Sequence, residues 1–98
     1  MEYILCAAIW YKDQPTSNLL PINCNVGVVV CGHRHPHCIY TFISLTGKRS
    51  VLTECGVYVQ GFLTSLNRFV DRKEGGIIAF RASQTNELKQ TLYSEDLY

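Results

Sequence analysis

Val26-Gly27-Val28-Val29-Val30-Cys31-Gly32-His33-Arg34-His35-Pro36-His37-Cys38 is the stretch that decides the fold. Val26–Cys31 is rich in β-branched residues, which suit a pleated strand. Gly32 ends that strand. Pro36 then stands where a helix can begin, because its missing N–H does no harm in a first helical turn. From there to Thr46 the apolar positions Cys38, Ile39, Phe42, Ile43 and Leu45 mostly keep the i, i+3, i+4 spacing that buries one helix face, and Gly47 supplies a stop.

Upstream, Tyr3–Tyr11 is nearly all apolar and reads as a strand. It pairs with Val26–Cys31 as an antiparallel hairpin whose connection, the polar Lys12–Asn25 segment with Pro15 and Pro21, is unusually long. Such a loop invites a specific task, and subunit contact is one. Downstream, Val57–Gln60 reads as a strand that Gly61–Thr64 continues or bends, Ser65–Asn67 as a turn, and Arg68–Val70 as the returning arm of a short hairpin. Asp71 is a helix N-cap, and Glu74 stands where it can complete a capping box ahead of a helix Arg72–Gln84. Gly75 and Gly76 each weaken that helix by about 1 kcal/mol relative to Ala, so they mark a place where another backbone comes close. Asn86–Leu92 reads as a short last turn and Tyr93–Tyr98 as a polar, aromatic tail. The expected fold is therefore α+β: one domain, 1–98, with a small antiparallel sheet built from the long N-terminal hairpin and the short second one, and two principal helices.

With 98 residues, of which 47% are hydrophobic, the chain has room for one core and apolar surface left over. That excess predicts a homo-oligomer, a dimer or a hexamer. Nine Lys and Arg against eight Asp and Glu leave a net charge of +1, far from the basic footprint of a duplex-binding protein. No apolar run approaches the roughly 20 residues that span a bilayer, so no membrane partner is expected. The five cysteines are odd in number, lack a C-x-x-C pair and follow no charged-then-apolar leader, which predicts reduced and mostly buried thiols in a cytosol.

Two segments could carry chemistry. In Gly32-His33-Arg34-His35-Pro36-His37-Cys38, free N–H groups of a first helical turn, the positive end of a helix dipole and the Arg34 guanidinium coincide, which suits an anion. Gly32 would let a ligand near the main chain, while His33 and His35 would add donors. The second segment runs from Gln60 to Arg72. Arg68 and Arg72 flank a hairpin arm and a helix start, Phe62 or Phe69 offers a ring on which a purine could stack, and Asp71, Asn67 or Gln84 could accept from ribose hydroxyls. Against this, each Phe singly fits a core position and the polar residues of the first segment could merely cap a helix. For Arg68 the reading leans to function, since a charge between apolar neighbours is costly without a partner.

A rival reading takes His33, His35 and His37 as metal ligands, since residues two apart on a strand face the same way. A switch to helix at Pro36 would make the imidazoles diverge. The sequence holds no G-x-S-x-G elbow, Walker A loop, G-x-G-x-x-G or H-E-x-x-H, so no catalytic residue, metal or cofactor is expected.

Gly32-His33-Arg34-His35, Gln60-Gly61-Phe62-Leu63-Thr64, Arg68-Phe69-Val70-Asp71-Arg72 and Leu92-Tyr93-Ser94-Glu95-Asp96-Leu97 resemble motifs of small phage and prophage proteins, specifically the first family of phage Thoeris anti-defence proteins. The resemblance covers most of the chain outside Lys12–Asn25. It implies a non-catalytic sponge in the cytoplasm of an infected bacterium that sequesters cyclic ADP-ribose isomers and, in some members, cyclic di- or trinucleotides. Gly75-Gly76, where alanines are expected, and the long first loop depart from the pattern. The pocket such a ligand needs is easiest to build between subunits, with Gly32, His33, Arg34 and His35 from one and Phe62, Asn67, Arg68, Phe69, Asp71 and Arg72 from another. Two other readings stay open: a small hydrolase using a metal on His33, His35 and His37, and a protein-binding inhibitor that docks through Tyr93–Tyr98 or the long loop.

Overall fold

The computed structural model describes residues 1–47 and 58–97. Four strands, β1 (Ile4–Tyr11), β2 (Val28–Gly32), β3 (Tyr58–Thr64) and β4 (Phe69–Asp71), form one antiparallel sheet in the order β2-β1-β3-β4. Helix α1 (His35–Thr46) follows β2, α2 (Arg72–Arg81) follows β4, and a 3₁₀ turn, Ser94–Asp96, lies near the end. The α+β class, the long first hairpin, the short second hairpin and the two helices are as the sequence predicts. The part of the β3 reading that falls on Val57 lies outside the described residues.

Strand β1 is central because both of its faces are buried. Ala7, Ile9 and Tyr11 join Phe42 of α1, Ile78 and Ala79 of α2, Phe62, Val70 and Leu92 in the larger core. The Tyr11 and Phe42 rings stack there, with centroids 3.8 Å apart. On the opposite face Ala8 joins Cys24 and Phe69, with Trp10, Leu20, Val29, Val59 and Leu63 packed around them. That second core explains the Lys12–Asn25 loop, whose task within the chain is to roof the sheet. Asn23 locks it down: its side-chain amide donates to the Phe69 carbonyl at 2.6 Å and accepts from the Phe69 N–H at 2.8 Å, as a neighbouring strand would. The Ile22 N–H adds a bond to the Asn67 carbonyl at 2.8 Å.

The helix ends carry the remaining differences from expectation. Arg34 is the N-cap of α1, one residue earlier than a start at Pro36 requires, and Gly47 closes the helix in the left-handed region with φ 73°. Strand β2 begins at Val28 rather than Val26, because Gly27 turns the chain at φ 74°. Helix α2 stops at Arg81, short of Gln84. Ser83 takes a left-handed conformation, and the Gln84 side chain folds back to bond the Ile4 N–H at 2.8 Å and the Ile4 carbonyl at 2.9 Å. Gln84 therefore completes the start of β1 instead of extending a helix.

The last segment is also part of the fold. Leu92 is fully buried, Leu97 packs against the larger core, and the Leu92 N–H donates to the Arg72 carbonyl at 3.0 Å. Tyr93–Leu97 is therefore anchored, and Tyr98 lies outside the described residues. Gly75 and Gly76 make this packing possible: a Cβ on Gly75 would sit 3.1 Å from the Phe62 ring, and one on Gly76 would overlap the Lys89 carbonyl oxygen. The backbone that comes close at this pair is that of Lys89.

Candidate functional site

Both helix starts lie over the same short piece of β3. His35, in the first turn of α1, is buried, and its Nε2 donates to the Gly61 carbonyl at 2.8 Å with its ring edge-on to Phe62. Gly61 pairs in register with Asp71, the N-cap of α2. Arg72, the next residue, donates to the Gln60 side-chain oxygen at 2.6 Å and the Leu92 carbonyl at 2.9 Å, and its guanidinium lies 4.6 Å from the centre of the Tyr93 ring. One protomer alone thus brings the two predicted segments together, without a subunit boundary. Burial pushes the His35 pKa down, and the nearby positive charge of Arg72 adds to this, so its imidazole is held neutral.

Individual residues behave less as predicted. Arg68, read as a charge without a structural partner, has two. Its guanidinium grips the Glu2 carboxylate through Nε at 2.8 Å and Nη2 at 2.9 Å and reaches Glu74 at 3.2 Å. The same Glu2 carboxylate accepts from the buried Thr64 hydroxyl at 2.6 Å, and the bonds from Arg68 and then Thr64 hold it below the usual carboxylate range. The guanidinium therefore draws the N-terminal residues onto the β3–β4 turn. Glu74 is engaged by Arg68, and half of the expected capping box forms: the Glu74 N–H donates to Asp71 at 2.8 Å.

Phe62 and Phe69 are buried on opposite faces of the sheet, so one chain offers neither ring as a stacking surface. Asn67 holds the β3–β4 turn with φ 58°. Asp71 is occupied as a cap and Gln84 as a clip on β1. Gly32 packs against the start of α1, where an added Cβ would lie 3.2 Å from the His37 Cβ and 3.3 Å from the Cys38 sulfur. His33 is exposed and Arg34 half-buried beside it. His33 and His37 have ring centroids 6.0 Å apart, but His35 points into the core, so the three imidazoles diverge as the helix start requires. Among the described residues no group of three His, Cys, Asp or Glu side chains is placed to hold a metal ion.

A cleft lies one turn from these residues and escaped the sequence reading. About 480 Å³ in volume, it runs between Lys73 and Ile77 on α2 and the segment Leu88, Lys89, Gln90 and Thr91. Lys73 and Ile77 share a helix face because they are four residues apart. Lys89 comes across from the far wall, where it also meets Glu87 at 3.1 Å and Asp96 at 3.8 Å. Lys73 is exposed and has no ion-pair partner among the described residues. The only advance signal was Gly75-Gly76, which marks where the far wall crosses the helix.

These features define a small α+β domain with a lysine-rimmed, apolar-floored cleft beside its second helix. The chain belongs to the phage T4 y16D protein family, whose model matches residues 3–98. It is thus a small phage protein, in agreement with the phage resemblance of the quoted motifs. Comparison with curated proteins and with solved structures gives no match. Among the described residues no helix is long and apolar enough to cross a membrane.

Proposed function

We propose that this protein is a non-catalytic sponge that binds a cyclic nucleotide immune signal, a cyclic ADP-ribose isomer or a cyclic oligonucleotide, in the cytoplasm of an infected bacterium. The observation that carries the reading is the cleft. Its volume falls within the range of about 300–1,000 Å³ typical of small-molecule sites. Lys73, which has no ion-pair partner among the described residues, suits a phosphate oxygen at the cleft, while Ile77 and Leu88 supply apolar surface for a base. The phage family and the motif resemblance support the biological setting. In this reading the protein is a homo-oligomer, and a second copy would enclose the ligand further.

Calorimetry against a panel of cyclic ADP-ribose isomers and cyclic di- and trinucleotides tests the proposal. Binding to at least one is expected, with the ligand recovered intact. Lys73→Ala should weaken it by roughly 1.5–3 kcal/mol, the range for a hydrogen bond to a charged group, or about 10- to 150-fold in Kd. Heat indistinguishable from dilution across the panel would end the proposal. Undiminished binding by Lys73→Ala would remove the ligand from this cleft.

A further inference from the structure

The sheet has two edges, β2 and β4, and the chain treats them differently. A free edge exposes N–H and carbonyl groups that can pair with another strand, so folded proteins shorten it, charge it, bulge it or cover it. Strand β4 is three residues long and ends on Asp71, and the Asn23 side chain occupies the N–H and carbonyl of Phe69 at 2.8 and 2.6 Å. Strand β2 has none of these devices. Val28-Val29-Val30-Cys31-Gly32 carries no charge and no Pro, and its five pairs with β1 run without a bulge. Among the described residues no hydrogen bond from outside β1 reaches it.

The helix over this edge is unusual in the same way. α1 packs on β2 and β1, whereas α2 packs mainly on β3 and β4. The solvent side of α2 carries Lys73, Glu74 and Arg81, as an exposed helix face normally does. The solvent side of α1 carries Tyr40, Thr41, Ser44 and Leu45, and from Val26 to Gly47 the only Asp, Glu, Lys or Arg is Arg34. An open strand edge and an uncharged helix thus lie together on one side of the molecule, and depletion of charge is what marks the centre of a protein interface.

We propose that the β2 edge pairs with the β2 edge of a second copy of this chain, joining the two sheets into one of eight strands. A twofold axis perpendicular to the sheet sets β2 antiparallel to its copy, so the donors and acceptors of each edge meet those of the other. The same axis keeps both α1 helices on one face, flanking the seam. Their uncharged sides are needed there, because a two-stranded ribbon of five residues is marginal in water by itself. The occupant is a second β2 and not β4: a head-to-tail contact of β2 on β4 would propagate into a filament, and Asn23 blocks it. The association therefore closes at two. The cleft lies beside α2, on the other half of the sheet, so this pair leaves both clefts open and enclosing a ligand there takes a further copy through a separate contact. The fate of this proposal is thus separate from that of the sponge reading.

The test uses the full chain, free of ligand and under reductant, in sedimentation and in residue-resolved amide exchange over a range of concentrations. The expected mass is twice the 11.1 kDa of one chain, falling to one chain on dilution, and the β2 amides that point away from β1 should exchange more slowly as the dimer forms. Cys31 is exposed and sits on that strand. Cys31→Lys sets a charge from each copy at the seam and should give the mass of one chain at concentrations where the parent is a dimer, with the parent's circular dichroism. Leu66→Lys, at the exposed turn between β3 and β4, should leave the dimer intact. If Cys31→Lys does not fold, the concentration dependence of β2 exchange in the parent decides alone. A single chain at every concentration, β2 exchange that ignores concentration, or a folded Cys31→Lys that dimerises as the parent does would overturn the proposal.

Discussion

Gly76→Ala tests the packing that builds the cleft, because two effects of opposite sign meet at that position. In a helix interior Ala is better than Gly by about 1 kcal/mol, so with nothing nearby the substitution stabilises the protein. In this fold the new methyl would overlap the Lys89 carbonyl oxygen, with the Lys89 carbonyl carbon only 3.1 Å away. That obstacle is backbone, and it cannot rotate aside as a side chain would. The strand of chain from Leu88 to Thr91 has to move outward, while the Leu92 N–H and carbonyl just beyond it remain tied to Arg72. Overpacking of this kind costs about 1–3 kcal/mol, and direct overlap with backbone places it at the upper end. Subtracting the propensity gain leaves a net loss of about 1–2 kcal/mol. Urea unfolding followed by circular dichroism measures it, with Gly75→Ala as the companion. There the methyl meets the Phe62 ring at 3.1 Å and a Leu92 methyl at 3.5 Å, contacts that can yield, and the net change should lie near zero. A higher unfolding midpoint for Gly76→Ala than for the parent would refute the close crossing of Lys89, and with it the far wall of the cleft.

Two further predictions come from the charges. Arg68→Ala should lower stability by about 1 kcal/mol, since the pair with Glu2 is bidentate but only partly shielded from water, and should leave ligand affinity unchanged; urea unfolding and calorimetry read the two effects separately. Stability should also fall on acidification. His35 has a folded pKa below its unfolded value of about 6.5, so the unfolded chain takes up its proton first and stability drops as pH falls below that value. Glu2 is likewise held low when folded, and it adds a second loss as pH falls below the ordinary carboxylate range. His35→Gln, which keeps an N–H donor for the Gly61 carbonyl, should flatten the slope of unfolding free energy between pH 7 and pH 5.5, and an unchanged slope would refute the assignment of a neutral, buried His35.

The parts of this molecule that were legible in the sequence are those governed by neighbours in the chain. Val28–Gly32, the helix begun beside Pro36, the Gly47 stop and the Asp71 cap all follow from local geometry. The end of α2 was not legible, because Gln84 leaves the helix to bond Ile4, eighty residues away. Asn23 is similar: a loop amide bonded to Phe69 has no local signature. The site fared in the same way. The sequence reading joined the two helix starts across a subunit boundary, whereas one chain brings them together at Gly61, and their partners Glu2, Gln60 and Leu92 come from distant parts of the chain. The lysine cleft depends on where residues 88–91 cross α2, and only the glycine pair hinted at that.

The choice of lysine over arginine as the ligand-facing charge follows from how each is held. Arg72 already satisfies Gln60 and the Leu92 carbonyl while lying against Tyr93, and burial lowers its pKa, so it is spent on holding the last segment against α2. Arg68 would have to surrender the Glu2 carboxylate to bind an anion. That exchange leaves Glu2 facing the new negative charge, and it frees the N-terminal residues from the β3–β4 turn. Lys73 faces no such competitor among the described residues, and its ammonium at the cleft rim can turn toward a phosphate without breaking a structural bond. If the protein binds an anionic guest, the arginines shape the wall and Lys73 meets the charge, because Lys89 is itself engaged by Glu87 and Asp96. Swapping the roles experimentally separates the two: Lys73→Ala should cost affinity at constant stability, whereas Arg68→Ala should cost stability at constant affinity.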